Sequence, residues 1–226
     1  MIALRVLSAL LTYPDSALRA ALPELRQAMA QADAPPAARA SALLLIHDLA
    51  ASDGYEAEAR YIELFDRVRS LSLHLFEHVH GDSRERGPAM VALHEMYAAQ
   101  GLHIDASDLP DFLPIYLEAA ALLDRPGTIE RLGQIAALLA MLRDRLKKRG
   151  SPYACAFDAL LTIAGRAGAE NETGEEPAEP DVDKVWEEAQ INFGAGAATA
   201  ERESCPVASD VVARMNAPLA RARSAP

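Results

Sequence analysis

The sequence has few aromatic residues and few cysteines, and each shortage narrows the class of protein. Only 5% of the residues are aromatic although 50% are hydrophobic. A chain so rich in alanine and leucine favours helices over sheets. The two cysteines, Cys155 and Cys205, lie far apart and in no metal-binding or redox spacing, so we expect a reducing compartment. With 226 residues, the chain is predicted to be all-α, with a single helical bundle-like domain.

The sequence also lacks a long apolar run and a stripe of basic residues. The longest apolar run, residues 135–142, is well short of the roughly 20 residues that a bilayer requires. The first residues, MIALRVLSALL, have no basic residue ahead of their apolar run, and we interpret them as the first helix rather than a signal peptide. The net charge is −11, which suits no nucleic-acid surface. We therefore expect a cytoplasmic protein with no integral membrane segment and no nucleic-acid partner.

The negative charge is concentrated towards the C-terminal end. Residues 170–188 hold nine acidic side chains, one lysine and few large apolar residues. Such a segment cannot offset its ordering entropy by burial, so we predict disorder there. Residues 1–168 are predicted to form the helical domain. Residues 169–226 are predicted to form an acidic linker, a short Trp186-containing helix at about 182–193 that could dock on the domain, and a mobile C-terminus.

Motifs of the common enzyme classes are scarce. The chain has no P-loop, no GxGxxG fingerprint and no serine or cysteine in a nucleophile elbow. One short pattern, His74-x-x-Glu77-His78, matches inverted zinc peptidases, in which two histidines on one helix face bind zinc and the glutamate is the general base. Its third ligand could only be guessed, among Glu95, Asp105 and Glu118. Ordinary hydrogen-bonded histidines explain the pattern better, so we expect no enzyme, no metal and no cofactor.

Most informative residues lie in one central stretch, residues 61–118. Apolar residues recur there at helical spacing in three segments, at about 61–68, 71–79 and 90–97. This pattern predicts three amphipathic helices rather than strands.

Residues typical of helix ends mark boundaries within this stretch. Asp82 with Glu85 is predicted to form a capping box that begins the third helix, and Gly101 to end it. Asp108 is predicted to begin a fourth helix, with Pro114 close enough to the start to be accommodated.

The flanking residues predict further helices. A second helix is expected from residue 15 or 16, bent or divided by Pro23. Another is expected over residues 37–51, and a long one over 128–149, capped by Thr128 and basic at its end. A last helix is expected to reach about residue 167. The inward side chains of the 37–51 helix are predicted to be Leu43, Leu44, Ile46 and Leu49.

A peptide-binding groove explains more of the central stretch than an active site does. Apolar side chains around its polar breaks could bind the apolar face of an amphipathic helix, and acidic side chains could pair with basic residues of that helix. The apolar candidates are Phe65, Phe76, Met90, Met96, Leu109 and Phe112, and the acidic ones are Glu63, Asp66, Glu77, Asp111 and Glu118.

Several longer motifs, in a fixed order, resemble one known family. They are YIELFD at 61–66, SLHLFEHVHGDSRERGPAM at 72–90 and MYAAQGLHIDASDLPDFLPIYLE at 96–118. The likeness extends to LSALLTYPD at 7–15, YACAFDALL at 153–161 and VWEEAQINF at 185–193. Together they resemble the NarJ family, the nitrate reductase delta subunits that act as assembly chaperones, within the wider group of TorD-like chaperones of molybdenum enzymes.

The resemblance implies a non-catalytic, all-helical protein of the cytoplasm. NarJ-type chaperones bind the N-terminal segment of the catalytic (alpha) subunit of respiratory nitrate reductase. They keep the apoenzyme competent for insertion of the molybdenum cofactor and iron–sulfur clusters before it docks on the membrane. Transient contact with the molybdenum cofactor or its biosynthesis proteins is also compatible with the resemblance. A chaperone of another molybdenum oxidoreductase is the alternative, and a zinc metallopeptidase a more distant one.

Matching the motifs residue by residue implies a set of site residues. Four residues would shape the backbone: Gly81, Gly87, Pro110 and Pro114. The side chains implied to contact the client peptide are Tyr61, Phe65, Asp66, Phe76, Glu77, His78, His80, Asp82, Arg84, Arg86, Leu109, Asp111 and Glu118. Because an imidazole protonates near pH ~6.5, His78 and His80 are predicted to make client binding pH-sensitive.

Overall fold

Ten α-helices account for most of the described part of the computed structural model, which comprises residues 1–80, 83–105 and 108–168. A π-helical turn, Ile62–Asp66, and a 3₁₀ turn, Arg69–Leu71, lie between the fourth and fifth helices. Within these residues the only β-type pairing is an isolated antiparallel bridge between His74 and Phe112. The predicted all-α fold is confirmed. In chain order the helices are α1 (Ile2–Leu10), α2 (Ser16–Gln31), α3 (Pro36–Ala51), α4 (Gly54–Tyr61), α5 (Leu75–Val79), α6 (Arg86–Ala99), α7 (Leu113–Ala121), α8 (Arg125–Gln134), α9 (Ala136–Lys148) and α10 (Ala154–Ile163).

The core lies where α1, α3, α7, α9 and α10 meet. Helix α10 packs against α3 on one side and α9 on the other, and α1 packs against α7. Leu7 of α1, Tyr116 of α7 and Phe157 of α10 are fully buried. A buried hydrogen bond of 2.8 Å from the Ser8 hydroxyl to the Pro114 carbonyl also joins α1 to α7. These contacts cover the buried faces of α1, α7 and α10.

Helix α2 begins where the sequence predicts. The Asp15 side chain accepts a 2.7 Å hydrogen bond from the Leu18 amide, which satisfies one of the free N–H groups of the first turn. Pro23 lies on the exposed side of the helix and does not divide it.

The inward face of α3 is only partly as predicted. Ile46 and Leu49 are buried and Leu43 is half-buried, but Leu44 is 61% exposed and Leu45 is fully buried. Four consecutive apolar residues cannot all face inward on one helix. Tertiary contacts with α10 and α2 select Leu45 instead of Leu44.

The predicted long helix over residues 128–149 is wrong, because it is two helices. Helix α8 begins at Arg125, capped by the Asp124 side chain, which accepts a 2.9 Å hydrogen bond from the Gly127 amide. Thr128 is buried instead, and its hydroxyl donates to the Ala120 carbonyl at 3.0 Å. Ile135, fully buried with φ −107°, separates α8 from α9. The basic last turn of α9 is as predicted.

The last described helix is shorter than expected. Helix α10 ends at Ile163 rather than near residue 167, and Gly165 follows with φ +68°. The predicted acidic linker, Trp186-containing helix and mobile end lie at residues 169–226, outside the described residues. Among the described helices, none combines the length and the apolar character that crossing a membrane requires.

Candidate functional site

The central stretch bends away from regular helix at the point where the site forms. Helix α4 continues into the π-helical turn, in which the Arg67 amide donates to the Ile62 carbonyl at 3.0 Å. Such turns are rare and often occur at functional sites. The turn leaves Phe65 facing the core and Asp66 exposed to solvent. The first predicted helix of the stretch is therefore two elements.

The predicted helix over residues 71–79 is wrong in its first part, because that part pairs with another segment. The backbone is extended around His74, and only Leu75–Val79 is helical. The Leu75 amide donates to the Asp111 carbonyl at 3.0 Å, and the Leu113 amide donates to the Leu73 carbonyl at 2.9 Å. These two long-range bonds hold the residues before α5 against the residues before α7.

The same pairing explains why α7 does not begin at Asp108. The residues after Asp108 form a turn, and α7 begins at Leu113 with Pro114 in its first turn, as predicted for that proline. The Pro110 carbonyl accepts a 3.0 Å hydrogen bond from the Tyr97 hydroxyl, which ties this turn to α6.

Asp111 is the centre of the polar cluster that this pairing creates. Its side chain is fully buried, and its Oδ2 accepts a 3.1 Å hydrogen bond from the Phe76 amide. Its Oδ1 lies 3.4 Å from Nδ1 of His74, and its Oδ2 lies 3.9 Å from Nη2 of Arg86. A buried carboxyl group needs such partners, because burial without them is costly.

Arg86 extends the cluster towards the surface. Its Nη2 lies 3.6 Å from Oε1 of Glu77, and both side chains are about one quarter exposed, at 27% and 24%. The guanidinium therefore bridges a buried acid, Asp111, and a partly exposed one, Glu77. This bridge connects three of the residues that the family motifs single out.

An open depression of about 540 Å³ lies over this cluster. It is polar and holds both signs of charge, so it suits a charged or polar segment of another chain. Sequence reasoning did not select Arg67, Arg69 and Ser72 for the site. Ser72 begins the motif at residues 72–90, whereas Arg67 and Arg69 follow the π-helical turn and begin the 3₁₀ turn, outside the motifs. The lining residues are Phe65, Asp66, Arg67, Arg69, Ser72, His74, Glu77 and Arg86.

Several side chains predicted to contact a client are buried. The Tyr61 ring packs against Phe65 and Tyr153 at centroid distances of 5.0 and 6.1 Å, and its hydroxyl donates to the Leu11 carbonyl at 3.0 Å. This burial raises the pKa of Tyr61. Phe76 is fully buried, as is the Asp111 side chain. In this structure these side chains support the surface rather than form it.

The two histidines that are predicted to make client binding pH-sensitive, His78 and His80, contact groups of the chain itself. Nε2 of His78 donates to the Ser72 carbonyl at 2.7 Å, and burial lowers the pKa of His78. Nδ1 of His80 lies 4.0 Å from Oε2 of Glu85, and burial lowers the pKa of His80 as well. The predicted pH response of client binding stays a prediction, but protonation of either imidazole would begin below the ordinary value.

The geometry of His74 and His78 does not support the zinc-peptidase alternative. His74 precedes α5 in extended backbone, so His74 and His78 do not share one helix face. Nε2 of His78 is occupied by the Ser72 carbonyl. Across residues 1–80, 83–105 and 108–168, no group of three or more histidine, cysteine and acidic side chains is arranged to hold a metal ion.

The other predicted residues lie around the depression rather than in it. Arg84 and Glu118 are exposed, and Leu109 is 45% exposed. Helix α6 begins at Arg86, so Glu85 is at its N-cap without a side-chain cap and the predicted capping box is wrong. Gly81 and Asp82, two further members of the predicted set, lie outside the described residues.

Gly87 and the methionines of α6 complete the predicted set. Gly87 is helical and its φ is not positive, and a Cβ there would meet no atom of other parts of the fold within 4 Å. Pro88 follows it, however, and a Cβ on a helical residue before proline meets the proline ring. Met90 and Met96 are partly buried against the core, as is Phe112, whose ring lies 5.2 Å from that of His74.

The helical fold and the cluster around Asp111 are built from the motifs that resemble one family. A family model described as nitrate reductase delta subunit matches residues 12–159. The chain belongs to this family, and the resemblance of its motifs is thereby confirmed.

Three named relatives are similar to this chain over most of its length. The nitrate reductase molybdenum cofactor assembly chaperone NarJ of Escherichia coli (strain K12) is 44% identical over 201 residues, which cover 85% of each chain. The probable nitrate reductase molybdenum cofactor assembly chaperone NarW of the same strain is 38% identical over 204 residues, covering 87% of this chain and 86% of the relative. A probable chaperone of the same description, NarJ of Bacillus subtilis (strain 168), is 30% identical over 165 residues, covering 72% of this chain and 88% of the relative.

Proposed function

We propose that this chain is an assembly chaperone of a nitrate reductase and acts without catalysis in the cytoplasm. The observation that carries the proposal is the 44% identity, over 85% of both chains, with a relative named as the nitrate reductase molybdenum cofactor assembly chaperone. In this role the chain binds the N-terminal region of the catalytic subunit. It keeps the apoenzyme competent for insertion of the molybdenum cofactor and iron–sulfur clusters before membrane docking.

The depression over Asp111 is the proposed client-binding surface. It lies between α5, α6 and the π-helical turn, and its cations and anions are within a few ångströms of one another. A charged peptide can pair with either sign there, while Asp111 and the backbone pairing hold the surface in shape. Partly exposed pairs of this kind contribute little each, which suits a partner that must be released.

Co-expression tests the proposed function. A cell that lacks its own chaperone is given the nitrate reductase subunits with or without this chain. We expect nitrate reductase activity and bound molybdenum to rise only when the chain is present, because the cofactor must enter before the enzyme closes. Equal molybdenum content in the two preparations would contradict the proposal.

Calorimetric titration tests the client and the surface. A peptide from the N-terminus of the nitrate reductase catalytic subunit should bind, and one from an unrelated molybdenum oxidoreductase should not. The Glu77→Gln variant should weaken binding by up to about fivefold, the effect of losing one partly exposed ion pair. Glu95→Gln, which alters an exposed acid of α6 outside the depression, is the matched control. Binding of the unrelated peptide alone would favour a different molybdenum enzyme as client.

A further inference from the structure

A second depression lies between α2 and α3. It has a volume of about 900 Å³ and an open, mostly apolar surface. Leu22 and Ile46 form its floor and are buried, Leu43 is half-buried, and Ala50 is exposed at one end. No residue of the family motifs in the central stretch lines this α2–α3 groove. It is therefore separate from the depression over Asp111.

The rim of the α2–α3 groove is cationic because it carries two arginines. Arg19 and Arg26 line it together with His47, and the described residues that form it include no carboxylate. Arg19 donates to the carbonyls of Leu49 and Ser52 at 3.0 and 2.8 Å, so its charge is held at the C-terminal end of α3. Arg26 is exposed to solvent. An apolar floor with a cationic rim suits an acidic amphipathic segment.

The chain contains one segment of that chemistry. Residues 182–193 lie within and just after the acidic run, and they include Asp183, Glu187 and Glu188. Five of their apolar residues recur at helical spacing, which would place them on one side of a helix, and Ile191 would lie on the opposite side. The five residues are Val182, Val185, Trp186, Ala189 and Phe193.

We propose that residues 182–193 bind in the α2–α3 groove of the same chain. Their apolar side chains would cover Leu43 and Ile46, and their carboxylates would lie near Arg19 and Arg26. The inference does not depend on the proposed function, because it concerns a different surface.

Residues 169–181 are long enough to let residues 182–193 reach the α2–α3 groove. Helix α10 packs against α3, and the described residues end at Gly168. An extended chain over residues 169–181 could span up to about 45 Å. Helix α3 itself is only about 24 Å long. The segment can therefore reach any point of the groove from the end of α10.

Trp186 provides the measurement, because it is the only tryptophan of the chain. Quenching of its fluorescence by acrylamide reports how far solvent reaches it in the full-length protein. We expect several-fold weaker quenching in the native chain than in the chain unfolded by urea. Dilution should leave this protection unchanged, because the contact is within one molecule.

Two exposed residues of the groove offer variants that leave the core intact. Ala50→Glu adds a carboxylate inside the groove, and Ala51→Glu adds the same group one residue away, outside it, as the control. We expect Ala50→Glu to expose Trp186 and Ala51→Glu to leave it protected. Arg26→Glu should shift the ratio of bound to free segment by up to about fivefold, and reversing Glu187 and Glu188 to lysine in that variant should restore protection.

Three results would overturn the inference. Equal quenching of Trp186 in the native and unfolded chains would show that the segment is not bound. Protection that Ala50→Glu and Arg26→Glu both leave unchanged would place Trp186 elsewhere on the molecule. Protection that is lost on dilution would assign the groove to a second copy of the chain. Circular dichroism confirms that each variant keeps its helices.

Discussion

At the scale of single residues, Asp111 does more for the site than any exposed side chain. Its Oδ2 accepts a 3.1 Å hydrogen bond from the Phe76 amide. The side chain lies beside His74 and Arg86 and has no exposed surface. Its main-chain carbonyl also accepts from Leu75. Replacing it therefore disturbs α5, α6 and the turn before α7 together.

We predict that Asp111→Ala destabilises the protein by about 1–3 kcal/mol, because it leaves the buried Phe76 amide and nearby cation without their acceptor. Urea unfolding followed by circular dichroism measures the change. Asp108→Ala, an exposed acid of the same turn, is the control and should change stability by less than about 0.5 kcal/mol. Equal losses in the two variants would argue against the role of Asp111.

His78 should make stability depend on pH. Burial lowers its pKa below the ordinary value of 6.5, so the unfolded chain binds a proton that the folded chain does not. The effect of His78 is therefore to lower the free energy of unfolding as the pH drops below 6.5, and this loss is absent well above that pH. We predict that His78→Gln loses less stability than the wild type between about pH 7 and about pH 5.

The control for this prediction is His94→Gln. His94 is exposed on α6, so its replacement should leave the wild-type pH dependence unchanged. Unfolding free energies at several pH values, measured in urea, give the slopes. A wild-type slope in the His78→Gln variant would contradict the assignment to His78.

At the scale of elements, glycines of similar appearance in the sequence differ in what the backbone requires of them. Gly101 ends α6 with φ +78°, a conformation that costs other residues about 1–2 kcal/mol. Gly87 is helical and exposed, and it directly precedes Pro88. A helical residue before proline is disfavoured when it carries a Cβ, because that atom meets the proline ring. Gly101 therefore needs glycine for its positive φ, and Gly87 favours glycine because of Pro88.

Alanine should stabilise the protein at neither of these glycines. We predict that Gly101→Ala destabilises the protein by about 1 kcal/mol. Gly87→Ala should not raise stability, because the contact of the new Cβ with Pro88 offsets the better helix propensity of alanine. Thermal unfolding of the two variants beside the wild type measures both. A higher melting temperature for Gly87→Ala would argue against a backbone-shaping role for this glycine.

At the scale of the whole molecule, the described helices share one hydrophobic core. Leu4, Leu45, Leu139 and Leu160 come from four different helices, and each is fully buried. We predict that a chain cut after residue 168 unfolds in one cooperative transition, as a single core requires. Urea unfolding monitored by circular dichroism tests it. A broad, non-cooperative transition would mean that the removed segment contributes to the core.

The helices were predictable where local signals are strong. Asp15 caps α2 and Gly101 ends α6 as expected, because capping and positive φ are decided by neighbouring residues. The division between α8 and α9 at Ile135 was not predicted. Gly133 in the last turn of α8 is a weak local signal for it, because glycine is a poor helix former, but the apolar pattern continues through Ile135.

The sequence predicted several residues that form the site but not how they are arranged. The motifs include Glu77, Arg86 and Asp111, which the structure brings together, yet nothing local shows that Asp111 is buried while Glu77 is partly exposed. Arg67 and Arg69 had no signal at all, because their positions depend on the turns around them.

The sequence by itself determined the helical class, the family and a few helix ends such as the start of α2 and the end of α6, because composition, periodicity, motif order and capping are local properties. Only the tertiary structure decided the extended pairing of His74 with Phe112 and the burial of Asp111. It also decided the choice of Leu45 over Leu44 as the inward residue of α3. Each of these depends on contacts between residues far apart in the chain, which local pattern does not encode.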